Sequence, residues 1–243
     1  MTIAKLYDDA ACAVIDKPAG ILTHRINPAD KSDTVASWWV NQPAVDKSGW
    51  EVGREGIVHR LDRDTSGAMM LAKAPAAQDV LRKQFHDRTV KKQYLALCFG
   101  APERERGEIT SRVARDSKRR TKRTSRLISF DDNTREAISE YRVIKTGNIN
   151  GTVISIVNFA IKTGRTHQVR LHAKMLGTPI LGDSDYGTKP SRRASSALGV
   201  TRQMLHSKRL SFTSPATKRE VDIRAPLPDD IEKQIDRISS SGS

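Results

Sequence analysis

Strand-like runs outnumber helical ones in this 243-residue chain, and they do not alternate with helices in the βαβ rhythm that a parallel sheet requires. Residues 6 to 17 read as short strands around the Asp8-Asp9 turn, stopped by Pro18-Ala-Gly20. In Thr89 to Phe99, Tyr94, Ala96 and Cys98 alternate with Leu95, Leu97 and Phe99, the period of a strand. Residues 152 to 161 are rich in β-branched side chains, and another strand is expected around Leu205 to Phe212. The helical signals are fewer. Thr34 can cap a short helix through Trp38, Trp39 and Val40; Ala77, Val80, Leu81 and Phe85 give residues 75 to 88 one buried face. Thr166 is placed to cap a helix carrying Val169, Ala173 and Leu176, stopped by Gly177 and Pro179; Asp229-x-x-Glu232 resembles a capping box before Ile231, Ile235 and Ile238. Residues 42 to 55 and 180 to 203 read as connections. The class is therefore α+β with a mixed, mostly antiparallel sheet. One domain over residues 1–238 is expected, followed by a disordered tail, 239–243.

Charge narrows the function. There are 42 Lys+Arg against 28 Asp+Glu, a formal charge of +14, on a composition whose 37% hydrophobic residues exclude disorder throughout. Such an excess on a folded chain points to a polyanion, with nucleic acid ahead of an anionic membrane because no basic amphipathic helix is found. No run approaches the ~18 apolar residues of a membrane span, and the first residues carry no signal-peptide pattern, so a cytoplasmic protein is expected. Cys12 and Cys98 are far apart and neither belongs to a Cys-x-x-Cys pair, which argues against a disulfide framework and a zinc module. A phosphate-binding G-x-x-x-x-G-K-[ST] loop, a G-x-G-x-x-G turn and any tight His/Cys cluster are absent. From Arg112 to Arg126 there are eight Lys/Arg and one Asp, which reads as an exposed basic loop gripping phosphate through Arg119, Arg120, Lys122 and Arg123. Without aromatic residues this loop is not expected to stack on bases.

Two polar clusters could carry chemistry. His59-Arg-Leu-Asp62-Arg-Asp-Thr65-Ser-Gly67 lies between apolar flanks, as a strand, a turn and a strand would. Turn chemistry alone would account for its Asp, Thr, Ser and Gly, but its alternating charges keep a carboxylate ionised, as a nucleophile or a base requires. Lys162-Thr-Gly-Arg165-Thr-His167-Gln-Val-Arg170 sits where a strand becomes a helix, a place that favours an anion. Either it binds phosphate or its arginine meets a carboxylate; capping by Thr166, a turn at Gly164 and local hydrogen bonds from His167 would explain it equally well.

Together the clusters resemble the RluA-type pseudouridine synthases, whose pattern is H-R-L-D-x-x-T-S-G followed far downstream by T-G-R-T-H-Q-[IV]-R. The resemblance extends to Lys17-Pro-Ala-Gly-Ile-Leu-Thr-His24, Lys92-Gln-Tyr-Leu-Ala-Leu97, Leu176-Gly-Thr-Pro-Ile-Leu-Gly-Asp183 with Tyr186-Gly187, and Leu205-His-Ser-Lys-Arg-Leu210, which together span most of the chain. A related branch carries Gly where His59 stands.

This resemblance implies a sheet flanked by helices and loops with a central cleft, and an enzyme that isomerises uridine to pseudouridine in RNA, ribosomal RNA before transfer RNA. It makes Asp62 the catalytic carboxylate, pairs Arg165 with it, and sets Tyr94 against the base, in reach of the final deprotonation at C5. Arg60 would fill the space of the extruded base, and His59, Thr65, Lys162 and His167 would serve in substrate binding. Neither metal, nucleotide nor redox cofactor is implied, and a monomer is expected. Many relatives carry a small RNA-binding domain first; here the first motif begins by residue 17, so the Arg112–Arg126 loop is expected to compensate. A non-catalytic RNA-binding or ribosome-assembly factor is the rival, and a glycosidase-like hydrolase ranks behind it for want of a second acid.

Overall fold

The structure, a computed structural model, describes residues 1–25, 32–46, 48–50, 54–115, 123–126 and 134–240. Strands β1 (Lys5–Asp8) and β2 (Cys12–Lys17) pair antiparallel about a turn in which Asp9 Oδ1 accepts from the Ala11 and Cys12 amides, 2.8 Å each. Helix α1 (Val35–Trp39) follows, capped by Thr34 and Ser37 in a reciprocal box. Next come β3 (Ser66–Ala72), α2 (Pro75–His86), β4 (Lys91–Phe99), β5 (Arg106–Arg115), β6 (Arg123–Arg126), β7 (Arg135–Ile149) and β8 (Thr152–Ile161). Helices α3 (Gln168–Met175) and α4 (Lys189–Ala197), strands β9 (Leu205–Thr213) and β10 (Glu220–Arg224), α5 (Asp229–Asp236) and β11 (Ser239–Ser240) complete the order. The sheet pairings are mixed but mostly antiparallel, as the α+β class requires. Among the described residues no helix is long and apolar enough to cross a membrane.

The chain divides into two compact units, Met1–Lys92 with Ser207–Pro226, and Gln93–His206 with Leu227–Ser243. In the first, strands lie in the order β1-β2-β3-β9 and β10 pairs with β9. Every residue of β3 is buried, so this strand is covered on both faces and reads as a continuous apolar run. Its core joins Cys12, Val14, Ala68, Met70, Leu81, Leu210 and Phe212. Leu81 faces this core with Ala77 and Phe85, but Val80 is 44% exposed and buried Gln78 takes the remaining position, donating to the carbonyls of Arg54 and Ile57. At ~100° per residue, Val80 falls about 60° outside the stripe set by Ala77, Leu81 and Phe85.

In the second unit the order is β4-β8-β7-β5-β6, with β11 on β7. The expected basic loop is in part a ladder: Arg112 pairs with Arg126 and Arg115 with Arg123, and Val113 is buried against Ala137, Leu171 and Tyr186. Its two apolar residues sufficed to seat β5 because β7 supplies the partner edge. Arg119, Arg120 and Lys122 lie outside the described residues, and Arg123 opens β6. The span read as a connection from 180 to 203 holds α4, whose capping box is Thr188 and Ser191 with proline at its start; a short polar helix has no apolar stripe to betray it. Two caps differ from expectation. His167, not Thr166, precedes α3, and Pro228 precedes α5, so Asp229 is a first-turn acid facing the helix dipole rather than a cap. Ser239 and Ser240 pair with Asn148 and Gly147, and 241–243 lie outside the described residues.

Candidate active site

In the first unit, the segment from Gly56 to Thr65 starts with Gly56 packed against Trp39 and Ala72 of β3. Gly56 has φ +67°, and a Cβ there would stand 2.5 Å from the Ala72 carbonyl oxygen, which also accepts from Trp39 Nε1. Beyond Ile57 the backbone leaves the ladder, so its carbonyls need other donors. Lys17 supplies them. Its side chain is fully buried, and Nζ donates to the carbonyls of Pro18 (2.9 Å), Arg63 (2.9 Å) and Thr65 (3.0 Å). Thr23 Oγ1 donates to the Leu61 carbonyl at 2.9 Å and accepts from the Leu61 amide at 3.3 Å. Gly20 and Arg63 exchange a further pair, Gly20 N–H to the Arg63 carbonyl and Arg63 Nε to the Gly20 carbonyl. Finally the Thr65 amide donates to the Asp62 carbonyl and closes a tight turn.

The carboxylate of Asp62 thus stands half-buried on a turn pinned on both sides, flanked by buried Leu61 and Thr65 and by exposed Arg60 and Arg63. His59 is directed elsewhere. Its Nε2 accepts from the Met70 amide at 2.9 Å and its ring stacks on Phe85 at 4.6 Å, with Lys92 Nζ over the same phenyl ring. Burial and then the Lys92 charge push its pKa down to about 3, so the imidazole is neutral with its proton on Nδ1. Lys92 itself is brought down to about 8 by burial and then by Arg88.

In the second unit, Tyr94 is 8% exposed on β4, opposite Phe159 of β8; Tyr141 and then Gly107 continue the row across β7 and β5. The glycine leaves room for the Tyr141 ring, 3.0 Å from where a Cβ would be. The second cluster leaves β8 at Ile161 and is held by Gln168. This buried amide accepts from Thr163 Oγ1 (2.8 Å) and the Arg165 amide (3.0 Å), and donates to the Ile138 carbonyl and Ser139 Oγ. Arg165, half-buried, places Nε on the Glu136 carbonyl at 2.9 Å.

His167 adopts φ +58° and meets the Tyr186 hydroxyl through Nδ1 at 3.1 Å. Lys162 bridges Glu108 (2.8 Å) and Glu140 (2.7 Å), which raise its pKa. Below the turn, Arg170 grips buried Asp183 with two nitrogens, also reaches Asp185, and lies over Tyr186. His172 is buried between Ser111 and Ser139 and is pushed down to about 4 by burial alone.

Among the described residues no three His, Cys, Asp or Glu side chains converge as a metal site would need. What the first unit offers is a carboxylate on an immobilised turn beside two exposed guanidiniums, the equipment of nucleophilic or base chemistry on an anionic substrate. Sequence reasoning listed neither Lys17, Thr23 nor Gln168 as site residues. The available signal was a lysine ending a six-residue strand whose other members are almost all apolar.

A family model described as RNA pseudouridylate synthase matches residues 11–175. A Nitrosomonas europaea protein named ribosomal large subunit pseudouridine synthase D is 34% identical over 96% of this chain, and the match covers 64% of that protein. In Bacillus subtilis an uncharacterized RNA pseudouridine synthase, YlyB, is 32% identical over 97% of the chain and 73% of its own length. Among solved structures, human RNA pseudouridylate synthase domain containing 4 aligns with a TM-score of 0.73 at 22% identity, covering 96% of this chain and 92% of its own. The human domain-containing 1 protein gives 0.71 at 24% identity, over 100% and 97%. These two share the fold.

Proposed function

The chain belongs to the RNA pseudouridylate synthase family, and on that premise we propose that it isomerises uridine to pseudouridine in RNA with Asp62 as the attacking carboxylate. The observation that carries the assignment is the turn of Asp62, clamped through its own backbone by Lys17, Thr23 and Gly20 while its carboxylate stays half-buried. A group that must form and release a bond gains from a fixed position more than from added charge.

The chemistry needs no external reactant. The bond between the ribose and N1 of the base breaks, the detached base turns, a bond forms from ribose C1′ to C5, and the proton on C5 leaves while N1 takes one up, so that the product is an isomer. Asp62 serves this route by addition at the anomeric carbon or at C6 of the base, or by taking a sugar proton to give a glycal. Tyr94 and Arg165 keep the roles that the family pattern gives them, the base-facing aromatic and the guanidinium that keeps the acid ionised. Arg60, exposed beside Asp62, suits the space of the extruded base, whose unstacking costs a few kcal/mol. His59 acts from behind, holding the β3 end of the segment through Met70. Thr65 anchors the turn, His167 sets the start of α3, and the segment of Arg119, Arg120, Lys122 and Arg123 contributes phosphate contact, whereas Lys162, expected to join them, is taken up by Glu108 and Glu140.

Ribosomal RNA is the first substrate to test, because the Nitrosomonas relative is named for the large ribosomal subunit; transfer RNA follows. A monomer acting in the cytoplasm completes the proposal. Tritium release from RNA labelled at uridine C5 decides it. Release by the wild type and none by Asp62→Asn is expected. Release by neither protein from ribosomal or transfer RNA would reduce the chain to an RNA binder.

A further inference from the structure

Strand alternation in the second unit places the row Tyr94, Phe159, Tyr141 and Gly107 on one face of the sheet, so the residues one step along stand on the other. On that second face, exposed Arg106 of β5 lies directly opposite exposed Arg142 of β7, with Asn158 of β8 next in the row. Like charges directly across a ladder repel. One row further along, the same conflict arises between Glu108 and Glu140, and there Lys162 resolves it by bridging both carboxylates. The arginine row has no equivalent: among the described residues, no carboxylate or carbonyl is bonded to the guanidinium of Arg106 or Arg142.

Both arginines line two adjoining hollows. One, of about 540 Å³, adds Gly107, Tyr141, Asn158 and Ala160; the other, of about 810 Å³, adds Arg104, Lys145, Thr146 and Ile144. The register shifts between Val143 and Lys145, and the extra residue, Ile144, stands 58% exposed beside the arginines. Among the described residues four cations meet two acids there, Glu105 and Glu140, and Glu140 is already held by Lys162.

We propose that the Arg106–Arg142 row is a docking site for the phosphodiester backbone of the RNA, on the sheet face opposite Tyr94. Two guanidinium forks held side by side by strand register match a phosphate's oxygens, and the phosphate supplies the counter-charge that neither arginine can give the other. Asn158 adds a hydrogen-bonding amide, and Ile144 an apolar contact for a sugar or a base face. This rests on the reading that the chain acts on RNA.

The test compares the wild type with an Arg106→Gln/Arg142→Gln double variant, using a fluorescein-labelled RNA hairpin with unpaired uridines across ~50–200 mM salt. Expected are an affinity about ten-fold lower near ~0.1 M salt and a salt slope shallower by about one to two, as befits one or two lost phosphate contacts. The single-turnover tritium release rate at saturating RNA should be unchanged, and Tm unchanged or higher because a repulsive pair has gone. Equal affinity and slope in both proteins overturn the proposal in favour of an acidic protein surface. So does a loss no larger than that of a Lys218→Gln/Arg219→Gln control. Displacement of the hairpin by inorganic phosphate, matched in ionic strength with chloride, overturns it in favour of an isolated-anion site. If the wild type releases no tritium, the isomerase reading fails while the binding comparison still decides this one.

Discussion

Replacing Lys17 by methionine keeps all but the last heavy atom of the unbranched side chain and removes the ammonium that ties the Pro18-Ala-Gly20 turn to the turn of Asp62. Three bonds vanish, to the carbonyls of Pro18, Arg63 and Thr65, in a place where Lys17 has no exposed surface. Hydrogen bonds from a charged donor contribute about 1.5–3 kcal/mol each, so the gross loss is about 4–9 kcal/mol. Against this, methionine no longer carries the several kcal/mol of desolvation that a buried ammonium costs, and it fills most of the same space. The difference is a net destabilisation of about 2–4 kcal/mol, which for a chain of this size lowers Tm by roughly 4–16 °C. Function should suffer more than stability, because two of the three acceptors belong to Arg63 and Thr65, the residues that hold Asp62 in place. Calorimetry gives the first quantity. Tritium release under single-turnover conditions, at a temperature where both proteins are folded, gives the second, expected to fall at least about ten-fold. A Lys17→Met protein that melts with the wild type and turns over at the same rate would refute the claim that this ammonium positions the carboxylate.

Acid should weaken the fold through His172, whose pKa lies at about 4 in the folded protein against 6.5 for a free imidazole. Below that higher value the unfolded chain takes up the proton and the folded one does not, so this stability is complete above pH ~6.5 and drains away toward pH ~4, about 2 kcal/mol of it by pH 5. Urea midpoints of the wild type and His172→Asn across that range check it; parallel curves would exclude His172 as the source. Arg170→Met leaves Asp183 buried and unpaired and should cost about 3–5 kcal/mol, seen as a lower Tm that Asp183→Asn in the same chain partly restores. Thr188→Ala breaks the capping box of α4 and should cost about 1 kcal/mol, measurable as a small Tm shift with tritium release unchanged.

What the sequence disclosed, and what it withheld, follows from periodicity. Strands with apolar side chains, such as β2, β4, β8 and β9, were legible because burial on one or both faces demands them. Strand β7 was not: its alternation of Ala137, Ser139 and Tyr141 with Glu136, Glu140 and Arg142 is mostly small or polar, and its buried serine is there to meet His172. Strand β10 has one lightly covered face, and α4 no apolar stripe at all. Of the candidate site, the motif residues could be named but their supports could not. That Lys17 points inward to carbonyls 46 and 48 residues away, and that Gln168 rather than Thr166 organises the Arg165 turn, are long-range satisfactions of backbone groups that local spacing does not encode.

The two clusters share a constructional problem with opposite solutions. Each carries its candidate residue, Asp62 or Arg165, on backbone that has left the sheet, where amides and carbonyls lose their ladder partners and, once buried, must find others. Around Asp62 the exposed groups are mainly carbonyls, and a cation with three donors, Lys17, fits a run of acceptors. Around Arg165 the run is mixed, the Arg165 amide and the Thr163 hydroxyl donating while the Ile138 carbonyl accepts, and a carboxamide with both kinds of group, Gln168, fits that. It follows that Gln168→Glu, isosteric but without donors, should disturb the Arg165 turn at the Ile138 side, whereas Lys17→Arg, with donors in a planar fork, cannot serve three carbonyls in the place of one tetrahedral ammonium. Both supports act by geometry: neither substitution touches the Asp62 carboxylate or the Arg165 guanidinium, yet each moves the backbone that aims them.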